Sequence, residues 1–175
     1  MKLHIGCGKK YLPGYKHVDV INFGHVDFCS DARQLHDIDK ETVSEIYACH
    51  ILEHVKREEV LGVLKEWGRV LRPGGTLRIA VPDFESVVNE YIESSDLMRF
   101  QGLLFGGQTY DYNFHHCAFD FEVIEKFLMQ AGFCAVDHYD WRDFLPADGY
   151  DDYSRSYLPH MDFENGRLMS LNVIA

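Results

Sequence analysis

The sequence predicts an α/β fold built on a mostly parallel sheet. Short apolar runs alternate with amphipathic stretches through most of its 175 residues, the pattern of strands joined by covering helices. The first run ends directly on Gly6-Cys7-Gly8, and the second ends on an acid, Asp19.

The strands are expected at residues 2–6, 15–20, 25–29, 45–50, 76–81 and 133–139, with a last, antiparallel one in 167–175. A helix is predicted over 56–71, where Val60, Leu61, Val63, Leu64, Trp67, Val70 and Leu71 form a broad apolar stripe. Arg72-Pro73-Gly74-Gly75 ends it, because proline and glycine both disfavour helix. Pro82-Asp83 opens the next helix, with Asp83 as N-cap and Phe84, Val87, Val88, Tyr91 and Ile92 at helical spacing. Asp120 caps another, carrying Val123, Ile124, Phe127, Leu128 and Ala131 and stopping at Gly132. Residues 102–119 are rich in glycine, aromatics and histidine, and 140–166 are aromatic and acidic; both read as loops.

A chain of this length with 46% hydrophobic residues supports one sizeable core, so residues 1–175 form a single domain. No apolar run approaches the roughly 20 residues of a membrane span, and the N-terminal residues read as a core strand rather than a signal sequence. With 28 acids against 17 bases the net charge is -11, which disfavours a nucleic-acid substrate. The five cysteines, Cys7, Cys29, Cys49, Cys117 and Cys134, form no CxxC pair and suit a reducing, cytoplasmic setting.

The first crossover is unusually short. Only residues 9–14 join the first glycine turn to the second strand, whereas a crossover with its helix needs at least about 10–12 residues. The first crossover helix is therefore missing or reduced to a turn. An apolar patch of the sheet would be left open, and a homodimer through that face is expected.

Gly6-x-Gly8 lets backbone approach a ligand at the carboxyl edge of the sheet, where such folds bind nucleotide-like molecules. An acid ending the neighbouring strand is placed to accept hydrogen bonds from a ribose diol. A dinucleotide fingerprint would need a third glycine where Tyr11 stands, which argues against a dehydrogenase.

The series Ile5-Gly6-Cys7-Gly8, Val18-Asp19, Ser30-Asp31-Ala32, Ile46-Tyr47-Ala48-Cys49-His50-Ile51-Leu52-Glu53-His54 and Val70-Leu71-Arg72-Pro73-Gly74-Gly75-Thr76-Leu77 resembles the class I S-adenosylmethionine-dependent methyltransferases. The likeness is to their small type 11 branch, and it covers residues 2–82 well. It implies a Rossmann-like sheet with a cofactor-binding half, 1–82, and an acceptor-side half, 83–175, bearing loops 102–119 and 140–166. It implies S-adenosyl-L-methionine as cofactor. Gly6, Cys7 and Gly8 would meet the methionine end and Asp19 the ribose hydroxyls. Asp31 and Ala32 would meet the adenine, and Cys49 and His50 would lie beside the sulfonium.

Methyl transfer asks mainly for alignment of the acceptor with an already activated methyl group. A base is required when the acceptor is a hydroxyl or a protonated amine; His54, His115 and His116 are the candidates. His50-x-x-Glu53-His54 consists of metal-binding residue types at helical spacing, but L-E-H segments serve as caps or packing in relatives, and no metal is assigned. In 140–166, Trp141, Phe144, Tyr150, Tyr153 and Tyr157 with Asp148, Asp151 and Asp152 could stack on a sugar or cationic acceptor, or form a satellite core. The expected function is methyl transfer to oxygen or nitrogen of a small-molecule or glycan-like acceptor. Members of this branch often accompany cell-surface carbohydrate synthesis, which favours a sugar. The alternative is a non-catalytic cofactor-binding partner subunit.

Overall fold

The structure, a computed structural model, describes residues 1–146 and 150–175. Asp148 lies outside the described residues. Strands β1 (Lys2–Ile5), β2 (Lys16–Asp19), β3 (Phe28–Cys29), β4 (Val43–Cys49), β5 (Leu71–Pro82) and β6 (Asp137–His138) precede a small ribbon of β7 (Tyr157–Leu158) and β8 (Arg167–Leu168). The last strand is β9 (Ser170–Ile174). The main sheet has the order β3-β2-β1-β4-β5-β9-β6. Strand β9 runs antiparallel to both of its neighbours, and the other pairs are parallel. The α/β class and the reversed last strand are thus as the sequence predicts.

Side chains alternate across each strand, so one face carries Leu3, Ile5, Val18, Ile46, Ala48, Leu77, Ile79, Val81, Leu171 and Val173, all essentially inaccessible. Two helices cover that face, α1 (Val60–Val70) and, further along the chain, one over Phe121–Ala131. The first contributes Val60, Val63, Leu64, Trp67 and Val70, spaced three and four apart along one stripe. The second contributes Ile124 and Leu128; Asp120 accepts a hydrogen bond from the Val123 amide at 2.8 Å, and Gly132 ends the helix at φ 103°. Buried Trp67 also donates its indole N–H to the Ala32 carbonyl at 2.8 Å, tying the loop after β3 to the core.

Between these helices lie α2 (Phe84–Ser94) and α3 (Gln101–Phe105). The Asp83 cap holds, accepting from the Glu85 amide at 3.0 Å. The apolar repeat of α2 does not enter the core: only Val87 is buried, and Phe84, Val88, Tyr91 and Ile92 are exposed. The helix over Phe121–Ala131 is α4, and α5 spans Trp141–Phe144.

The first crossover contains no helix, only a turn in which the Lys10 amide donates to the Cys7 carbonyl at 3.0 Å. The sheet face left free is nevertheless covered. Leu145 and Phe144 of the α5 region, with Tyr150, close over Tyr47, Leu12 and Tyr15. Tyr47 is fully buried and donates its hydroxyl to Asp152 at 2.6 Å. Asn172 donates to the Ser154 carbonyl at 2.8 Å, and the Arg78 guanidinium sits 4.7 Å from the centre of the Phe144 ring. The open patch that motivated the homodimer is therefore filled by the same chain. This face is polar, with His4, His17, Glu45, Arg78, Ser170 and Asn172, which suits a hydrogen-bonding cover better than an amphipathic helix.

Several boundaries differ from the sequence reading: the strand expected over 25–29 shrinks to β3, and the one expected over 167–175 divides into β8 and β9. Helix α1 begins at Val60, after a turn in which the Glu59 amide meets the Lys56 carbonyl. Strand β5 begins at Leu71, because Arg72-Pro73-Gly74-Gly75 is absorbed as a bulge: β4 pairs Val43 with Leu71 and then Glu45 with Thr76. The strand expected over 133–139 shrinks to β6, since Phe133 turns inward against the core beneath α1 and α4.

Candidate functional site

The carboxyl ends of β1, β2 and β4 open into a cavity of about 330 Å³, within the range typical of small-molecule sites. Gly6 and Gly8 form its floor at φ 65° and 53°, conformations that glycine adopts without a Cβ penalty. The Gly6 amide bonds the Val18 carbonyl, so the turn is stitched to the end of β2. Asp19 completes the stitch: Oδ2 accepts from the Gly8 amide and Oδ1 from the Ile21 amide, both at 2.8 Å. Its carboxylate still has lone pairs toward the cavity, which Asp19 lines.

Asp31 and Ala32 line the same cavity. Asp31 is gripped by Arg33, with contacts of 2.9, 3.0 and 2.6 Å, and these hydrogen bonds hold its carboxyl below the usual carboxylate range. Arg33 reaches on to Glu59 at 3.3 Å. His50, His54 and His116 line the opposite wall. His50 follows β4 at φ 52°, a strained conformation for a side chain with a Cβ, beside the cavity.

Three of the expected site residues do not line the cavity. Cys7 does not line the cavity; it is buried, its Sγ lies 3.7 Å from His25 Nε2, and burial, with Asp19 adding to it, pushes its thiol up to about 12. Cys49 turns to the covered face of the sheet, where burial and the Asp152 carboxylate push its thiol well up. A strand's alternation accounts for this, since His50 follows it at the cavity edge. His115 also stands off the cavity; Nδ1 lies 2.9 Å from the Leu103 carbonyl, and burial lowers its pKa.

The 3₁₀ turn Leu52–His54 joins this wall to the loop that overhangs it. The Glu53 carbonyl accepts from the His116 and Cys117 amides at 2.7 and 3.3 Å. Glu53 itself is buried; desolvation opposes its charge, but His50, His54 and His115 outweigh it and hold the carboxyl below its ordinary value. His50 does not complete a three-ligand set with Glu53 and His54. Its Nε2 lies 3.2 Å from Ser170 Oγ, and the group that converges is Glu53, His54 and His115.

Sequence reasoning missed the cavity's apolar side: Val20, Ile21 and Phe23 after β2, and Tyr110, Tyr112 and Phe114 from the overhanging loop. The only signal for them was an excess of apolar residues in segments that would otherwise be polar loops. Tyr153, from the 140–166 segment, stands with its ring 5.3 Å from that of His50 and is largely exposed.

Residues 14–79 match the family model described as "Methyltransferase domain". Among solved structures, the chain is similar to a SAM-dependent methyltransferase from Archaeoglobus fulgidus, at 18% identity and a TM-score of 0.56, covering 99% of this chain and 84% of that one. A SAM-dependent methyltransferase from Thermotoga maritima shows 16% identity and a TM-score of 0.58, with 99% and 80% covered. A chain from a complex containing the Haloferax volcanii Trm112 methyltransferase activator shows 13% identity and a TM-score of 0.56, with 99% and 79% covered. At such identities the likeness to these structures establishes the fold. The comparison with curated proteins finds no match. Among the described residues, no helix is long and apolar enough to cross a membrane.

Proposed function

We propose that this chain, a class I methyltransferase domain of the type 11 kind, transfers a methyl group from S-adenosyl-L-methionine to oxygen or nitrogen of a small-molecule or glycan-like acceptor. The observation that carries the reading is the cavity itself. It joins the Gly6–Gly8 turn, Asp19, Asp31 and Ala32 on one side to three imidazole-bearing positions on the other.

The residues fit an adenosyl ligand. Asp19 has acceptor capacity left for a ribose diol after meeting two amides. Val20, Ile21, Ala32 and the overhanging tyrosines supply apolar walls for a base, and the Gly6–Gly8 turn leaves room for the amino-acid end. The bound cofactor supplies an electrophilic methyl on a sulfonium. The protein's task is then to hold the acceptor in line while excluding water. Where the acceptor is a hydroxyl or a protonated amine, its proton would pass to an imidazole at the opposite wall as the bound cofactor supplies the methyl. That His54 and His116 line that wall supports this role for them; His115, which does not line the cavity, would act behind them as a positioning residue. An acceptor enters between His50, Tyr153 and the loop carrying Tyr110–Phe114, where aromatic surfaces favour a sugar or a cationic amine.

Calorimetric titration with S-adenosylhomocysteine, S-adenosylmethionine and NAD tests the cofactor assignment. Saturable binding of the adenosyl-sulfur ligands alone is expected. Asp19→Ala should weaken it by roughly 1–3 kcal/mol, the cost of lost hydrogen bonds to a charged group. Unchanged affinity would show that Asp19 serves only as a strap between β2 and the turn. Tight binding to another protein without turnover on any acceptor would favour a non-catalytic partner subunit.

A further inference from the structure

Glu53 is 1% exposed, and among the described residues neither of its carboxylate oxygens accepts a hydrogen bond. His50 Nδ1 comes within 3.2 Å of Oε1 without hydrogen-bond alignment, and His115 Nε2 lies 4.0 Å away. A buried carboxylate without donors is costly and calls for a cationic partner.

The two nearby imidazoles are oriented to supply the rest of such a site. His54 Nδ1 lies 3.1 Å from the Phe114 carbonyl and His115 Nδ1 2.9 Å from the Leu103 carbonyl. A carbonyl only accepts, so each Nδ1 carries the hydrogen and each Nε2 presents a lone pair. A backbone carbonyl fixing the far nitrogen is the arrangement that orients histidines on metals. The two rings meet edge to face, with centres 4.7 Å apart, and ligand atoms of Glu53, His54 and His115 fall within 4.8 Å of one another. Acceptors converge from three sides, and among the described residues the nearest N–H is that of His50, which is not aligned with the carboxylate.

We propose that Glu53, His54 and His115 form a site for a divalent transition-metal ion of the zinc class, held by one carboxylate oxygen and two Nε2 atoms. Tetrahedral ligands at about 2.1 Å from an ion lie about 3.4 Å apart, so binding draws these three together by up to about 1.4 Å. Half-exposed His54 can supply that movement. Two histidines and one carboxylate leave positions open, as in catalytic rather than structural sites. Because His54 also lines the cavity, the open side faces the acceptor space. That consequence rests on the methyltransferase reading: the ion would hold an acceptor oxygen, which favours hydroxyl acceptors, and His116 would remain the free imidazole. The ligand set differs from the His50-x-x-Glu53-His54 pattern legible in the sequence, since His115 comes from a loop about sixty residues away.

The test loads chelator-treated protein with Zn²⁺ or Co²⁺ and measures stoichiometry by atomic emission, with the Co²⁺ visible spectrum reporting the ligand field. One ion per chain is expected. Glu53→Gln and His54→Ala should each weaken binding at least tenfold, while His36→Ala, at an exposed histidine remote from the cluster, should not. Should Glu53→Gln fail to fold, His54→Ala decides, because His54 is partly exposed. No stoichiometric ion in the wild type, or an ion indifferent to both substitutions, overturns the site. Titration with S-adenosylhomocysteine, run separately on the metal-free protein, tests the cofactor reading on its own: its failure beside successful metal loading removes the acceptor role and leaves the site standing.

Discussion

Gly6→Ala is expected to destabilise the fold by about 2–5 kcal/mol and to abolish measurable binding of S-adenosylhomocysteine. Two independent costs add. A left-handed backbone costs a residue with a Cβ about 1–2 kcal/mol, and Gly6 sits at φ 65°. Overpacking a filled site costs about 1–3 kcal/mol more, and a Cβ at Gly6 would meet Ile51 Cγ1, Cδ1 and Cβ at 2.7, 2.8 and 2.9 Å. Contact with Ile51 Cβ means that rotating the isoleucine cannot clear the clash. Ile51 lines the cavity, so its displacement intrudes on the ligand. Gly8→Ala is the control: its φ is 53°, but nothing lies within 4 Å of the added carbon, so only the backbone cost applies. Denaturant unfolding of the two variants should differ by the packing cost. Equal losses would show that Ile51 yields freely.

Acidification should weaken the fold well above the range in which carboxylates titrate. His4 is 2% exposed on the covered face of the sheet, against Tyr47 and His17. Desolvation, with His17 and His25 nearby, lowers its pKa to about 3. The unfolded chain takes up this proton near pH 6.5 and the folded chain does not. Stability from the buried neutral ring is therefore complete above pH 6.5 and declines as the pH falls toward 3. Linkage gives a loss of about 2 kcal/mol between pH 7 and pH 5. His17 and His115, also lowered by burial, act in the same direction, so His4 is isolated by difference. His4→Phe, which keeps an aromatic ring in the same place, should unfold with a shallower pH slope by that amount. Parallel slopes would place the acid-sensitive group elsewhere.

The glycine side of the cavity was largely legible because its determinants are local. Glycines at a strand end and an acid ending the next strand are fixed by the chain's own sequence, and Gly6, Gly8, Asp19, Asp31 and Ala32 all meet at the cavity. Cys7 and Cys49 were not legible. Which way one side chain points at a strand end depends on turn geometry, and a neighbour in sequence takes the opposite direction. His115 and His116 show the same limit: adjacent in the loop, one lines the cavity and the other is held by Leu103. The strand boundary at Leu71 escaped notice because a bulge can absorb Pro73 and Gly74 without breaking β5. The exposed stripe of α2 was invisible as such, since periodicity reports amphipathicity and not what stands opposite. The cover over Tyr47 depends on residues so distant that no pattern along the chain could announce it.

That distance has a kinetic consequence. A crossover helix in residues 9–14 would have covered Tyr47 from about 35 positions away, whereas the hydroxyl of Tyr47 meets Asp152 across 105 positions. Closing so long a loop in a free chain costs roughly 1 kcal/mol more entropy than closing one of about 35 residues. The excess vanishes if the intervening strands are already assembled, because the ends are then held close. Folding should accordingly proceed in two stages, with the parallel sheet and α1 forming first and residues 140–146 and 150–158 docking onto it afterwards. In stopped-flow refolding, far-ultraviolet ellipticity should precede the fluorescence change of Trp141, and the lag should be absent in a fluorescence signal from Trp67; simultaneous signals would mean that the cover is part of the nucleus.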